Sequence, residues 1–418
     1  MRGAPYPSLK PWQIVVAGIV ALAVAMGIGR FAFTPLLPMM LADRVIDLAG
    51  ASWLASANYL GYMVGALLCT VQPWLWRKLG LLRLVNTPAL VRIGLAATVV
   101  LTLGMTWHLP FTWPLMRFAA GVASALVFVY TSGWCLAQLA RLHMPNMGAL
   151  IYTGPGCGIV LSGLAVHTMV SLHWSAATGW LIFGVLAAAL TAMVWRVFGL
   201  RHELPATTPH AEPIASVITP RVHGTAEVTL LAIAYGLAGF GYIITATFLP
   251  VIARQSLPGS PWLDLFWPIL GAGVIAGALI ASRIRSLGDL RLRLAACYAI
   301  QALGIGASLV YPNLTGFVLG SLLTGLPFTA ISFFGMQEAR RMRPAQAPSM
   351  MGLLTALYGL GQVIGPPLVA GLLARGGTLA EGFSLSLEIA AASLVLGAAV
   401  YGLMIRAFPL RPAPGLSA

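Results

Sequence analysis

The chain has 418 residues, of which 59% are hydrophobic and only 8% charged, and its mean hydropathy is +0.89. A soluble domain carries about 25% charged residues, so this chain lacks the polar surface that water on all sides requires, while its apolar and aromatic content excludes disorder. The formal net charge of +14 invites a nucleic-acid partner, an invitation that the placement of the charges withdraws.

A spanning helix takes about 20 apolar residues. Twelve such runs follow one another, at approximately 12–41, 51–76, 86–107, 111–140, 146–171, 174–198, 227–254, 262–283, 292–310, 313–339, 348–374 and 383–407. The segment before the first run shows no short apolar stretch with a small-residue cleavage site, so the first run is expected to be a retained helix. Most connections are short and carry turn residues, such as His108-Leu109-Pro110 and Tyr311-Pro312-Asn313. One connection is long and polar, and it holds Pro205, Pro209, Pro213 and Pro220. It divides the chain into an N-terminal six-helix half at 1–198, a linker at 199–226 and a C-terminal half at 227–418.

With the N-terminus placed inside, 18 of the 24 basic residues fall in inside segments. The outside segments hold only Arg44, Arg254 and Arg375, and Arg30, Arg92 and Arg117 lie within runs. Cytoplasmic loops collect Lys and Arg, so both termini are expected in the cytoplasm of a bacterial cell, with the chain in its inner membrane. The basic surplus needs no nucleic acid. Trp53, Trp107, Trp113, Trp174 and Trp262 fall at outer ends of runs and read as an interfacial aromatic belt. Cys69, Cys135, Cys157 and Cys297 each sit in an apolar run without a metal or disulfide spacing and read as small apolar packers. Neither a metal nor a cofactor is expected.

The halves echo each other. Gly27-x-Gly29 and Leu37-Pro38 in the first run match Gly239-x-Gly241 and Leu249-Pro250 in the seventh, an offset of 212. Arg77-x-x-Gly80-x-x-Arg83 matches Arg285-x-x-Gly288-x-x-Arg291 at an offset of 208, and Gly121 matches Gly325 at 204. Met147-Gly148 matches Met351-Gly352, also at 204. Ordered matches at a nearly constant offset mark two parallel repeats, the layout of a secondary transporter.

On these residues the chain resembles the major facilitator superfamily. Arg77 to Arg83 is similar to the end of the superfamily loop motif between helices 2 and 3, although Gln72 to Trp76 carries no acidic residue where the superfamily has one. Arg117-x-x-x-Gly121 resembles a helix 4 motif common in proton-coupled members. Gly154-Pro155-Gly156-x-Gly158 resembles a shortened antiporter motif of helix 5. The stretch from Gly27 to Pro38 resembles the helix 1 signature of the YbfB/YjiJ branch. The resemblance implies an all-α membrane protein, with twelve transmembrane helices in two pseudo-symmetric six-helix halves, and alternating access between them. It also implies gating roles for Gly27, Pro38, Arg77, Gly80, Arg83, Pro155, Arg285, Gly288 and Arg291.

Arg30 is the sharpest single feature. A guanidinium inside a bilayer costs several kcal/mol, about 2.5–3.5 on insertion scales, and it cannot escape by losing its proton. It must face a wet cavity, an anion, a carboxylate or backbone carbonyls. Helical spacing aligns Gly27, Arg30, Thr34 and Pro38 on one stripe. Arg117 reads either as a charge at the site or as a side chain that snorkels towards headgroups, and Arg92, one turn into helix 3, reads as snorkelling. Phe33, Asn58, Tyr62, Tyr152, Tyr242, Tyr358 and Gln362 complete the candidate substrate site, with Tyr242 the repeat partner of Arg30. Each tyrosine is equally explicable as packing with a locally bonded hydroxyl.

The ten acids lie mostly in connections or at helix ends, which leaves Glu388, Asp264 and the less acidic alternative His167 as groups for proton movement. No hydrolase, zinc or phosphate-loop motif is present, so an enzyme is not expected. The expected function is export of a small organic molecule coupled to proton entry, with uptake or exchange of a small organic anion at Arg30 as the alternative. The partners are that molecule, the bilayer and protons.

Overall fold

The computed structural model describes residues 9–78, 86–107, 109–199, 224–257, 260, 262–284, 288–373 and 378–410. Twelve helices there are long and apolar enough to cross a membrane: α1 (Pro11–Ala42), α2 (Trp53–Trp76), α3 (Thr87–Gly104), α4 (Pro110–Arg141), α5 (Pro145–Ser171), α6 (Ala176–Trp195), α7 (Thr225–Phe248), α8 (Phe266–Arg283), α9 (Leu290–Val310), α10 (Leu314–Met342), α11 (Pro344–Leu373) and α12 (Ala380–Ala407). Their starts carry the expected chemistry. The Asn86 side chain accepts from Ala89 N at 2.9 Å, and Asn313 accepts from Gly316 N at 3.0 Å. Thr378 and Glu381 cap the start of α12 reciprocally, which satisfies two amides that would otherwise lack partners.

Burial separates a central set of helices from an outer one, with α2, α5, α8 and α11 at 44–67%. In α1, α4, α7 and α10, 61–83% of the most apolar window is buried, against 33–39% in α3, α6, α9 and α12. The outer four pack in pairs, α3 with α6 and α9 with α12. Their exposed faces carry residues such as Val100, Leu292, Leu303 and Val395, which suit acyl chains. The halves meet along two seams, α2 against α11 and α5 against α8.

Backbones approach closely wherever glycines face each other, as expected when burial of apolar surface no longer drives association. A Cβ on Gly121 would fall on the Asn58 carbonyl of α2, and a Cβ on its repeat partner Gly325 would fall on the Leu270 carbonyl of α8. The repeat seen in sequence therefore builds the same helix crossing twice. Gly27 and Gly158 meet backbone to backbone where α1 crosses α5. The seams between halves use the same device: Gly156 faces the Gly271 carbonyl, Gly352 faces Thr70 and Gly359 faces Met63.

Three expectations change. The first run is not one regular helix. It is α-helical over Pro11–Leu22, π-helical over Ala23–Phe31 and α-helical again over Phe33–Ala42. Trp113 is buried, with its indole donating to the Trp107 carbonyl at 3.1 Å, whereas Trp53, Trp107, Trp174 and Trp262 are exposed. Cys157 is exposed, while the other three cysteines are buried.

Gly121→Val is expected to lower the thermal midpoint of the detergent-purified protein, because overpacking a tight crossing costs about 1–3 kcal/mol. Gly306→Val, at a glycine with open space around it, should leave the midpoint unchanged in the same melt.

Candidate functional site

The π segment of α1 places Arg30 at the centre of the helical bundle. A wider i→i+5 turn changes which amides the carbonyls meet, and Pro35, five residues on from Arg30, has no N–H to give that carbonyl. Helix α4 supplies the missing donors. Ser124 donates to the Ala25 carbonyl at 2.7 Å, and Arg117 donates to the carbonyls of Gly29 at 3.1 Å and Arg30 at 3.2 Å. Arg117 is buried and its guanidinium lies 4.7 Å from the centre of the Phe33 ring. Asn58 in turn donates to the Arg117 carbonyl at 2.9 Å. Arg117, Phe33 and Asn58 thus form a brace behind the broken helix rather than a wall of the cavity. Thr34 is half-buried, one turn beyond Arg30.

Arg30 itself is 2% exposed. Its guanidinium lies over the Tyr62 ring at 4.0 Å and near the Tyr59 and Phe31 rings at 5.4 Å each. Its Nη2 donates to Gln362 Oε1 on α11, and Gln362 Nε2 donates to the Tyr242 hydroxyl on α7 at 2.8 Å. The two repeat-equivalent positions, Arg30 and Tyr242, are therefore joined through one amide across the interface of the halves. Arg30 Nε is buried with no hydrogen-bond partner. Among the described residues, the carboxylates that form ion pairs do so with Arg291 and Arg341, and none with Arg30.

A narrow cavity opens beside Arg30, with room for about one water molecule. Arg30, Tyr62, Phe128, Pro155, Tyr235, Phe328 and Tyr358 line it, with Met26 and the hydroxyl residues Thr329, Ser332 and Thr355. Tyr242 stacks on Tyr358 with ring centres 5.6 Å apart and tilts against Phe328 at 4.7 Å. Tyr152 packs between Phe128 and Phe333. Its hydroxyl and that of Ser132 are buried side by side without a closed hydrogen bond.

Sequence reasoning brought Arg30, Tyr62, Tyr358, Gln362, Tyr242 and Pro155 to this centre. It missed Tyr59, Phe128, Tyr235 and Phe328, which look like ordinary helix packing in sequence. Of the acids proposed for proton movement, Glu388 is exposed, as is His167, so neither reaches the cavity, and the Asp264 side chain lies outside those described.

The family described as an uncharacterised MFS-type transporter YbfB matches residues 22–402. The chain belongs to this family. It is a multi-pass membrane transporter of the major facilitator fold, not an enzyme. A chloramphenicol resistance protein from Streptomyces lividans is 26% identical over 410 residues, which cover 90% of this chain and 94% of that protein. The crystal structure of a mutant of the nucleoside transporter NupG superposes with a TM-score of 0.62 at 15% identity, covering 94% of this chain and 99% of that one.

The residues expected to take part in gating are distributed unevenly. Gly27 serves the α1–α5 crossing, and Pro38 lies inside the last helical piece of α1. Arg77 falls within the helical stretch Leu48–Lys78, with its side chain outside those described, while Gly80, Arg83 and Arg285 lie outside the described residues. Gly288 has φ 101°, a left-handed turn that favours glycine. Arg291 is fully buried. It holds Asp289 through Nε at 2.9 Å and Nη2 at 2.7 Å, Glu227 at the start of α7 at 3.2 Å, and the Met404 carbonyl near the end of α12 at 3.1 Å. One side chain thus ties together the ends of α7, α9 and α12. Arg92, expected to snorkel, lies over the Trp195 ring at 4.3 Å.

Burial pushes the Asp289 carboxyl up, but the hydrogen bonds and charge of Arg291 outweigh this and hold it below the usual carboxylate range. Its contribution to stability is therefore complete above the unfolded-state pKa of about 3.9 and fades as pH falls through the lowered folded value. The stability difference between wild type and Asp289→Asn should be constant from pH 7 to pH 5 and shrink below about pH 4, as read from melts in acid-stable detergent. Arg117→Leu should destabilise more, because it leaves the Gly29 and Arg30 carbonyls unpaired at about 1–3 kcal/mol each.

Proposed function

We propose that this transporter exports a small organic molecule by rocking its two halves, residues 1–198 and 227–418, about a site centred on Arg30, with 199–226 as the cytoplasmic linker. One observation carries the reading. The bond from Arg30 to Gln362 and on to Tyr242 crosses from one half to the other at the cavity, so a molecule bound there competes with the contact that holds the halves together. Binding is thereby linked to movement, as alternating access requires. Arg30, Tyr62, Tyr358, Gln362 and Tyr242 are the residues that touch the substrate. Phe33, Asn58, Arg117 and Tyr152 support them from behind, and Thr34 borders the site.

The direction is supported by the relative named for chloramphenicol resistance, since a membrane transporter confers resistance by expelling its substrate. The surplus of Arg and Lys on one side supports placement in the bacterial inner membrane with both termini in the cytoplasm. Coupling to proton entry is supported by the resemblance of Gly154-Pro155-Gly156 to an antiporter motif, with Pro155 on the cavity wall.

The test is transport in proteoliposomes across a panel of small organic compounds, with and without an imposed pH gradient. At least one compound should move against its gradient when protons flow the other way. Arg30→Ala should reduce that flux to about the level of empty liposomes while the protein still inserts and elutes as wild type. Flux indifferent to the pH gradient would refute proton coupling, and wild-type flux in Arg30→Ala would refute the site.

A further inference from the structure

We infer that the molecule this site takes is a planar aromatic monocarboxylate, bound side-on by the Nε–Nη2 edge of Arg30 with its ring between tyrosine faces. This rests on the reading of Arg30 as the substrate anchor and specifies the ligand's charge and shape.

The charge follows from electrostatics. Arg30 is buried, cannot lose its proton, and has no carboxylate partner among the described residues. Its neighbours are neutral: three aromatic rings and one amide oxygen. A cation–π contact offsets only part of the cost of taking a cation out of water. One carboxylate pairs the one guanidinium that lines the cavity, because Arg117, the second buried cation nearby, is turned to the Gly29 and Arg30 carbonyls and does not line it. A neutral ligand leaves the charge as it stands.

The headgroup follows from geometry. A carboxylate pairs with a guanidinium through two parallel N–H bonds. On Arg30 the Nε hydrogen is buried and unbonded, while its neighbour on the same edge, Nη2, donates to Gln362 Oε1. A neutral amide oxygen holds half of a bidentate seat. A carboxylate that takes both positions displaces Gln362 and frees it from Arg30, which loosens the link between the halves.

The ring follows from the surroundings. Tyr62 lies face-on to the guanidinium, and Tyr358 and Tyr242 stack beyond it. Flat faces favour a flat ligand, because offset and edge-on ring pairs attract beyond what their buried area gives. The cavity as it stands holds about one water, so the ring enters as the halves part.

The experiment measures binding of benzoate, cyclohexanecarboxylate and benzamide to the purified full-length chain in detergent, by calorimetry and by thermal shift, followed by counterflow of labelled benzoate in proteoliposomes. Benzoate should bind about tenfold or more tighter than benzamide, the value of a charge-assisted pair, and about two- to tenfold tighter than cyclohexanecarboxylate, the value of ring contacts. Gln362→Glu is the decisive variant, because it supplies the carboxylate from within. It should melt at or above the wild-type temperature, which shows that it folds, and should lose benzoate binding about tenfold or more. Arg30→Gln should lose it equally. Benzoate binding unchanged in Gln362→Glu, or equal affinities for benzoate and benzamide, would overturn the carboxylate assignment. Equal affinities for the two carboxylates would overturn the aromatic one. If the class fails while export of another compound still depends on Arg30, the site reading stands, and if no compound's transport depends on Arg30, both fall.

Discussion

A guanidinium that cannot give up its proton sits in the middle of this bundle, and much of the surrounding structure can be understood as accommodation of it. Among the described residues, the contacts of the Arg30 guanidinium are to neutral groups. The rings of Tyr62, Tyr59 and Phe31 offer their π faces, and Gln362 offers an amide oxygen from the opposite half. No one of these equals an anion, and together they leave Nε without a partner. A residue with these costs persists in a lipid-embedded core when it serves recognition. On the proposed reading the aromatic cage has two tasks: it softens the charge in the empty protein and presents flat surfaces to the ligand that neutralises it.

The position of Arg30 depends on a second constraint, the need to satisfy every backbone polar group away from water. The π turn that aims Arg30 at the interface leaves carbonyls for other donors, and Pro35 has no N–H for that of Arg30. Arg117 and Ser124 reach across from α4 to serve them. That pairing is possible only because α4 lies close, and α4 lies close to α2 because Gly61 and Gly121 remove side chains where those two helices cross. Small residues, a broken helix and a buried second arginine are thus parts of one arrangement. In the other half, the equivalent crossing exists through Gly325 and Gly277, but α7 runs unbroken as an α-helix and bears Tyr242 where α1 bears Arg30. The two halves share an architecture and divide the chemistry.

The architecture was legible in sequence because it follows from composition and period. Apolar length fixes the spans, and ordered glycine matches reveal the repeat. The chemistry was less legible, for identifiable reasons. Periodicity tells which residues share a face but assumes a constant turn, so the π segment was invisible, although Gly27, Gly29 and Pro35 in one short stretch were its trace. Arg117 reads the same whether it snorkels or braces, because what decides between them is a carbonyl 88 residues away. In sequence Arg291 reads as a loop residue of a gating motif, yet it is wholly buried, with Glu227 and the Met404 carbonyl reaching it from distant elements. Pairing between remote segments is information that a one-dimensional pattern does not hold.

Gln362 carries a kinetic consequence. A carrier that achieves net export must also return without its cargo, and on the proposed reading that return leaves the buried charge of Arg30 without an anion. The amide oxygen of Gln362, seated on Nη2, acts as a surrogate for the departed ligand during that leg. It is a weaker partner than an anion, so the unloaded return remains the steeper climb. On the proposed reading, the strength of a single side-chain amide therefore sets how fast the emptied carrier returns, and with it the rate of net export.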